Sequence, residues 1–171
     1  MRGKAAGFAA ATLWAAATVP AWADDPVSLG TFDDWEAFIY HADNAPVCYV
    51  FSAPKKTDSD KKIAKRDPVY FLISHFPGRK VKGQISTIIG YPFKESSTVT
   101  LKVDAQSFDL YTNGDTAWAA DADTEGKIVK AMKTGKALMV TGTSWKGTQT
   151  TDTYSLTGLN KALDKIDATC K

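Results

Sequence analysis

The sequence predicts a mainly β fold, an antiparallel β-sandwich or barrel-like domain with one short helix and a C-terminal helix. Residues 97–104 alternate apolar and polar side chains, and this period of two is typical of a half-buried strand. Asn113-Gly114 separates two short strand-like runs and is a strong hairpin-turn pair. Beyond residue 155, apolar residues instead recur every three or four positions, which predicts a helix.

Further strands are predicted at short spacing, separated by Gly, Pro and Asn. They cover an apolar stretch that begins at Trp35, and residues 47–53, 69–76, 107–112, 116–120, 138–141 and 148–156. Trp35 and Trp118 fall within these strand patterns, so we expect both side chains in the core. This punctuation of short strands favours an antiparallel sandwich or barrel.

Two helices interrupt the strand pattern. The first is expected to begin at Thr124 as N-cap and to stop at Gly135, with Glu125 at the positive end of its dipole. Ile128, Val129 and Met132 would then face the sheet. The C-terminal helix, with Thr157 as its expected N-cap, carries the apolar stripe Leu156, Leu159, Leu163, Ile166 and Cys170. That stripe directs the sulfur of Cys170 toward the body of the protein.

Residues 1–23 have the three-part layout of a secretory signal peptide. Arg2 and Lys4 precede an uncharged run over residues 5–19, and Ala21-Trp22-Ala23 supplies a small-x-small cleavage site. The apolar run is shorter than the roughly 20 residues that a membrane-spanning helix needs. We therefore expect an exported protein whose mature chain begins near Asp24.

The mature chain, residues 24–171, is expected to be a single domain with its own core. Removal of Arg2 and Lys4 reduces the 21 basic residues to 19, which balances the 19 acidic residues. A nucleic-acid partner normally requires a clustered excess of Lys and Arg, so none is expected. No later apolar segment is long enough to span a membrane, and no motif indicates a cofactor or a metal.

Cys48 and Cys170 are the only cysteines, and an even count in an exported protein usually means a disulfide. Two cysteines allow one intramolecular pairing, which would tie the C-terminus to an early strand. A redox or metal-binding role is the alternative. The chain has no CxxC spacing and only two histidines, so we favour a structural disulfide.

Two segments are candidates for ligand contact. Residues 55–66 contain six basic and two acidic residues, and form either a patch for anionic lipid or glycan or a solvated, mobile connection. Trp145 and Lys146 lie in a glycine-flanked turn at residues 142–147, where no core strand needs a tryptophan. The indole either contacts a sugar or a protein partner, or packs over a sheet edge.

Catalytic residues are not apparent. His41 and His75 are the only histidines, and the carboxylates are scattered. A metal site needs several converging ligands, and a nucleophile needs a base held against it. His75, at the end of an apolar strand, is interpreted as a histidine with a local hydrogen bond. It is also the seed of the rival enzyme hypothesis, which requires a carboxylate or hydroxyl close to it.

Residues 142–163 resemble the C-terminal block of the invasion-associated locus B family. The block has a Gly-Thr-Ser turn, a second Gly-Thr, and Asp152-Thr153-Tyr154-Ser155-Leu156 leading into the last helix. Residues 90–97, Phe108, Trp118, Trp35, the signal peptide and Cys170 also fit. Family members often carry another cysteine soon after the first tryptophan. Here Trp35 is followed by Glu36-Ala37-Phe38-Ile39, which leaves Cys48 and Cys170 as the one pairing.

The resemblance implies a periplasmic, outer-membrane-associated or surface protein of Gram-negative bacteria, linked in pathogenic members to virulence through host-cell invasion. It implies no catalytic residue and no cofactor. Our leading hypothesis is a non-enzymatic binding protein of the envelope, with an envelope or host protein or glycan as partner. The alternatives are an envelope hydrolase acting on glycan or cell-wall material, and a passive structural factor of an envelope complex.

Overall fold

A computed structural model describes residues 25–63 and 65–171 of the chain. Within these residues it contains 11 strands and two α-helices. The strands are β1 Val27–Phe32, β2 Trp35–Ala42, β3 Ala45–Ser52, β4 Lys56–Ser59, β5 Tyr70–Phe76, β6 Val81–Ile88, β7 Thr98–Val103, β8 Gln106–Asn113, β9 Thr116–Trp118, β10 Ala137–Thr143 and β11 Gln149–Ser155, and the helices are α1 Ala122–Thr134 and α2 Leu159–Thr169. The predicted signal peptide, residues 1–23, lies outside the described residues. Neither α1 nor α2 has the length and hydropathy needed to cross a bilayer.

All 11 strands belong to one antiparallel sheet, in the order β1-β2-β3-β5-β6-β9-β8-β7-β10-β11-β4. The mainly β prediction with a mid-chain helix and a C-terminal helix is confirmed. In the described chain β1 and β4 are the two edges of the sheet, so the sheet is open and does not close into a barrel. The predicted hairpin between β8 and β9 is present, but its two turn residues are Gly114 and Asp115, because Asn113 ends β8 and pairs with Thr116.

The sheet folds over on itself, which brings β2 against β11 although they are far apart in strand order. The indole N–H of Trp35 donates a hydrogen bond of 3.0 Å to the carbonyl of Ser155. The backbone N–H of Asp34 donates to the carbonyl of Thr157 at 3.3 Å. Between the two parts of the folded sheet, the ring of Phe71 packs edge to face with those of Trp35 and Tyr154. All three side chains are fully buried. The fold is therefore sandwich-like, because two parts of the sheet face each other and bury aromatic side chains between them.

Helix α1 begins three residues earlier than the sequence indicates. Its N-cap is Asp121, whose carboxylate accepts the N–H of Thr124 at 2.7 Å, so the predicted cap at Thr124 is wrong. A carboxylate both satisfies this free N–H and complements the helix dipole. Glu125 is buried against β6 and accepts the N–H of Ile85 at 3.3 Å. Burial raises the pKa of Glu125, an effect that this hydrogen bond only partly offsets.

Helix α2 has its apolar stripe inward, as the spacing predicts, and packs on β1, β2 and β3. The predicted N-cap Thr157 is wrong, because Gly158 occupies the cap with a left-handed backbone of φ 90°. A Cβ at Gly158 would overlap the carbonyl oxygen of Phe32, so this position requires glycine. Cys170, at the end of α2, is joined by a disulfide to Cys48 in β3, the pair that the sequence predicts.

Two other sequence interpretations change in the folded chain. Residues 55–66 are not simply a mobile connection, because β4 lies within them and pairs with β11 as an edge strand. Trp118 is not a core residue: it is half-buried on the outward face of the sheet and stacks on the exposed Tyr111 at 5.7 Å. β4 is hard to predict because its partner β11 is distant in sequence. Trp118 lies with its hairpin partner Tyr111 on the outward face, while Ala117 is buried.

Candidate functional site

The turn between β10 and β11 presents Trp145 to solvent. The turn is closed by two backbone hydrogen bonds, from Ser144 N–H to the Thr148 carbonyl at 2.8 Å and from Gly147 N–H to the Ser144 carbonyl at 2.7 Å. The N–H of Trp145 donates to the carbonyl of Pro92 at 2.9 Å, which fixes the turn to a second loop. The Trp145 side chain is 61% exposed. The indole is thus displayed on a well-anchored turn and is not packed over the sheet edge.

The basic segment, residues 55–66, lies directly beside this turn. Strand β4 pairs with β11 from Ser59↔Thr150 onward, and Asp60 continues the contact by accepting the N–H of Gln149 at 2.8 Å. The ammonium of Lys61 donates to the carbonyl of Gly147 at 3.0 Å. The two candidate segments of the sequence therefore meet in space, although the residues in this contact are 86 positions apart.

A small recess lies between the turn and the basic segment, and we call it the Trp145 pocket. It has a volume of about 160 Å³. Its lining includes Trp145, Lys146 and Thr148 of the turn, Lys62 and Lys65 of the basic segment, and Tyr91. The ammonium of Lys146 lies 4.9 Å from the centroid of the Trp145 ring, within cation–π range. Aromatic surface and positive charge are therefore available at the same place.

The electrostatics of the Trp145 pocket are dominated by lysines without carboxylate partners. In the described residues, Asp58 pairs with Lys56 at 2.7 Å, and Asp60 accepts the backbone N–H of Gln149; neither carboxylate lines the recess. Among residues 25–63 and 65–171, no ion pair involves Lys62, Lys65 or Lys146. The recess thus carries a local excess of positive charge, even though residues 24–171 are neutral overall.

A buried polar cluster behind the pocket fixes the end of the basic segment. Arg66 donates to both carboxylate oxygens of Asp152, one of them at 2.8 Å, and also to the carbonyl of Ile89 at 2.7 Å. The guanidinium carbon lies 5.2 Å from the centroid of the Tyr91 ring, and the hydroxyl of Thr57 donates to Asp152 at 2.6 Å. The sequence analysis placed Arg66 in the basic run of residues 55–66 and did not predict its pairing with Asp152, which no local pattern indicates.

Tyr91 connects this cluster to the pocket. Its hydroxyl hydrogen-bonds to that of Thr150, and its ring packs edge to face with Phe93 at 6.3 Å. Burial raises the pKa of Tyr91, while the Thr150 hydrogen bond and the nearby Arg66 lower it, and burial prevails. Tyr91 therefore stays a neutral hydroxyl at physiological pH, with its ring in the wall of the pocket.

His75 is hydrogen-bonded, as the sequence analysis expected, but one of its partners is distant in the chain. Its Nε2 lies 2.8 Å from Asp167 of α2, and its Nδ1 accepts the N–H of Gly83 at 3.1 Å. Lys82 binds the same Asp167 oxygen at 2.9 Å. Burial raises the pKa of Asp167, but the hydrogen bonds from Lys82 and His75 outweigh it, so that the pKa is lowered. The carboxylate that the enzyme hypothesis required is present, yet His75 is only 3% exposed and both ring nitrogens are engaged.

The outward face of β2, β3 and β5 carries aromatic side chains that the sequence analysis did not single out as a surface. Phe38 and Tyr49 are cross-strand partners and stack at 5.7 Å, and Phe51 packs on Tyr70 at 5.3 Å. All are half-buried, while their sequence neighbours Ala37 and Val50 point into the core. Apolar residues on both faces of one strand were the signal in the sequence that could have indicated this surface.

In the described residues, no group of three or more His, Cys, Asp or Glu side chains is placed to bind a metal.

This fold defines the class of protein: an open antiparallel sheet folded into a sandwich-like body, with a C-terminal helix fixed by a disulfide. The family model described as "Invasion associated locus B (IalB) protein" matches residues 35–167, and the chain belongs to this family. The resemblance read from residues 142–163 is thereby confirmed.

Among solved structures, the chain is similar in fold to invasion associated protein b from Bartonella henselae. The TM-score is 0.58 at 17% sequence identity, over 84% of this chain and 96% of that chain. At this identity the likeness extends to the fold and no further. No sequence among curated proteins matches the chain.

Proposed function

We propose that this protein is an exported, non-enzymatic binding protein of the bacterial envelope, and that its ligand contacts Trp145 and Lys146. The observation that carries this proposal is the exposure of Trp145, 61%, on a turn held by three backbone hydrogen bonds. Exposing a large aromatic side chain in this way leaves apolar surface in water, whereas a bound partner would remove that surface. Tryptophan is also enriched among residues that dominate binding energy.

Export is supported by two independent features. Residues 1–23 have the layout of a signal peptide, and the Cys48–Cys170 disulfide is typical of proteins that fold in an oxidising compartment. The proposed location is the periplasm, the outer membrane or the cell surface of a Gram-negative bacterium. The family name and the Bartonella neighbour associate such proteins with invasion, and we extend that association to this chain as part of the proposal.

The proposal is tested by comparing wild-type protein with Trp145→Ala for binding to isolated bacterial envelopes and to host cells. Tyr111→Ala is the matched control, because Tyr111 is also an exposed aromatic residue, 52% exposed, on another part of the surface. We expect Trp145→Ala to weaken binding with an unchanged melting temperature, and Tyr111→Ala to bind normally. If Trp145→Ala binds normally, Trp145 is not part of the binding site. If the variant unfolds at a lower temperature, the indole contributes to packing.

The rival function, an envelope hydrolase, would have to use His75. Its ring nitrogens are already bonded to Gly83 and Asp167, so proton transfer to a substrate would require breaking one of these contacts. The rival predicts release of fragments from cell-wall or host glycan by the wild type and its loss in His75→Gln. Such release, absent from the variant, would overturn the non-enzymatic proposal.

A structural role in an envelope complex is favoured by a different observation, the outward aromatic face. Phe38, Tyr49 and Phe51 stack there, and Glu36 is the cross-strand partner of Phe51. Aromatic residues are enriched at the centres of protein interfaces. In this case Tyr49→Ser should release the protein from its complex, while Trp145→Ala should not.

A further inference from the structure

We infer that the ligand of the Trp145 pocket is an anionic saccharide, a sugar ring that bears a carboxylate, sulfate or phosphate group. This inference rests on the proposed function, since it names the ligand class of the same site. It depends on three features of the pocket: its aromatic surface, its unpaired positive charge and its shape.

The aromatic surface is suited to a sugar. The C–H bonds on one face of a pyranose ring are weakly polarised and apolar, and they pack well on the electron-rich face of an indole. Trp145 is the exposed aromatic residue of the pocket, and Tyr91 contributes a second ring to its lining. Rigid aromatic walls cost little side-chain entropy on binding.

The charge specifies an anion. Lys62, Lys65 and Lys146 come from two separate segments and line the same recess. In the described part of the chain none of them forms an ion pair with a carboxylate. Other exposed lysines of the described residues, such as Lys102 and Lys130, form none either, so what distinguishes these three is that they line one recess. Three like charges placed together repel each other, and an anionic ligand would relieve that repulsion. A neutral sugar would leave it unchanged.

The shape favours one ring of a longer chain. A volume of about 160 Å³ is below the roughly 300–1,000 Å³ typical of pockets that enclose a whole ligand. The recess is held in place by the Lys61–Gly147 hydrogen bond on one side and by the Arg66–Asp152 pair behind it. A preorganised recess of this size suits a single rigid ring, with the rest of the saccharide in solvent.

The test measures binding of the purified mature protein to four probes. A heparin-derived hexasaccharide supplies sulfate, an oligogalacturonate supplies carboxylate, maltohexaose is the neutral control, and vesicles containing phosphatidylglycerol present an anionic lipid surface. The charge variant is Lys62→Gln/Lys65→Gln/Lys146→Gln. Its matched control, Lys102→Gln/Lys130→Gln/Lys165→Gln, removes three exposed lysines away from the pocket. Trp145→Ala and Tyr111→Ala form the aromatic pair.

We expect one or both anionic saccharides to bind and maltohexaose not to bind. The charge variant should bind about tenfold more weakly at low salt, and this difference should shrink as salt rises. The matched lysine control should bind like the wild type, and Trp145→Ala should also weaken binding. A preference for the sulfated probe would indicate a host-type glycan, and a preference for the carboxylated probe a bacterial polysaccharide.

The outcomes that contradict the inference are separate from those that contradict the proposed function. If maltohexaose binds as well as the anionic saccharides, or if the charge variant binds them as well as the wild type does, the ligand is not selected by its charge and the inference is wrong. Weaker binding by Trp145→Ala in the same experiments would still support the proposed site. Binding to the vesicles alone would replace the saccharide by a lipid surface. If Trp145→Ala changes no interaction with envelopes, host cells or any probe, both the inference and the proposed site fail.

Discussion

The guanidinium of Arg66 donates hydrogen bonds to both carboxylate oxygens of Asp152. Asp152 is fully buried and lies 86 positions later in the chain. This contact joins the end of the basic segment to the middle of β11. It also places the guanidinium over Tyr91, in the wall of the Trp145 pocket. This ion pair thereby anchors the end of the segment that carries Lys62 and Lys65.

Replacing Arg66 with Met should destabilise the fold strongly. The change leaves the carboxylate of Asp152 buried without its counter-charge, and breaking such a pair costs roughly 3 kcal/mol or more. Urea unfolding measures the loss. The control is Lys55→Met, which removes an exposed partner of Asp34 and should cost under about 1 kcal/mol. Equal small losses in the two variants would mean that the buried pair does not anchor the segment.

Removing the disulfide should lower the free energy of unfolding by about 4 kcal/mol, because the Cys48–Cys170 link closes a loop of 122 residues. The double variant Cys48→Ala/Cys170→Ala is compared with the oxidised wild type by denaturant unfolding. Reductant should destabilise the wild type to the level of the double variant and leave that variant unaffected. A wild type insensitive to complete reduction would contradict this prediction.

Gly158→Ala should be far more damaging than Gly114→Ala. Both glycines have a positive φ, 90° and 63°, but a Cβ at Gly158 would collide with the Phe32 backbone, while one at Gly114 meets no atom within 4 Å. The Gly114 change should therefore cost only about 1 kcal/mol of backbone strain. Thermal unfolding of both variants separates strain from collision. Similar melting temperatures would show that β1 shifts to accommodate the methyl group.

Asp167→Asn should weaken the dependence of stability on acid pH. The pKa of Asp167 is lowered from 3.8 in the fold, because the hydrogen bonds from Lys82 and His75 outweigh the opposing effect of burial. A lowered folded-state pKa stabilises the protein above pH 3.8, and that contribution is lost as the pH falls through the folded value.

The measurement is the melting temperature between pH 6 and pH 2. The wild type should exceed Asp167→Asn at pH 6, and the two curves should converge toward the acid limit. Asp164→Asn, an exposed change on the same helix, is the control and should follow the wild type. Parallel curves for wild type and Asp167→Asn would show that the carboxylate contributes nothing through its ionisation.

The regular elements could largely be predicted from local sequence. The alternation in residues 97–104 became β7, and the three-and-four spacing after Leu156 became the buried stripe of α2. The helix caps were predicted wrongly, because Thr124 and Thr157 are good capping residues in isolation. In α1 the carboxylate of Asp121 accepts a free backbone N–H, so Asp121 is the cap. In α2 the cap lies so close to the backbone of Phe32 that only Gly158 fits there.

The candidate site was predictable only in parts. Trp145, Lys146 and the basic run were each visible in the sequence, but nothing in it placed the run beside the turn. Pairing of β4 with β11 made that contact, and such an edge strand of four exposed polar residues has no apolar alternation to reveal it. The outward aromatic face was missed for the related reason that it is assembled from several strands.

By itself, the sequence determined the strand and helix periodicities, the cysteine pair and the membership of a family with this C-terminal block. These follow from local spacing, from composition and from a count that allows one pairing. The tertiary structure alone decided which charges are buried together and which remain unpaired at the surface. Arg66 and Lys65 are neighbours in the chain, yet one is buried against Asp152 and the other faces the Trp145 pocket, because each charge depends on neighbours that only the fold supplies.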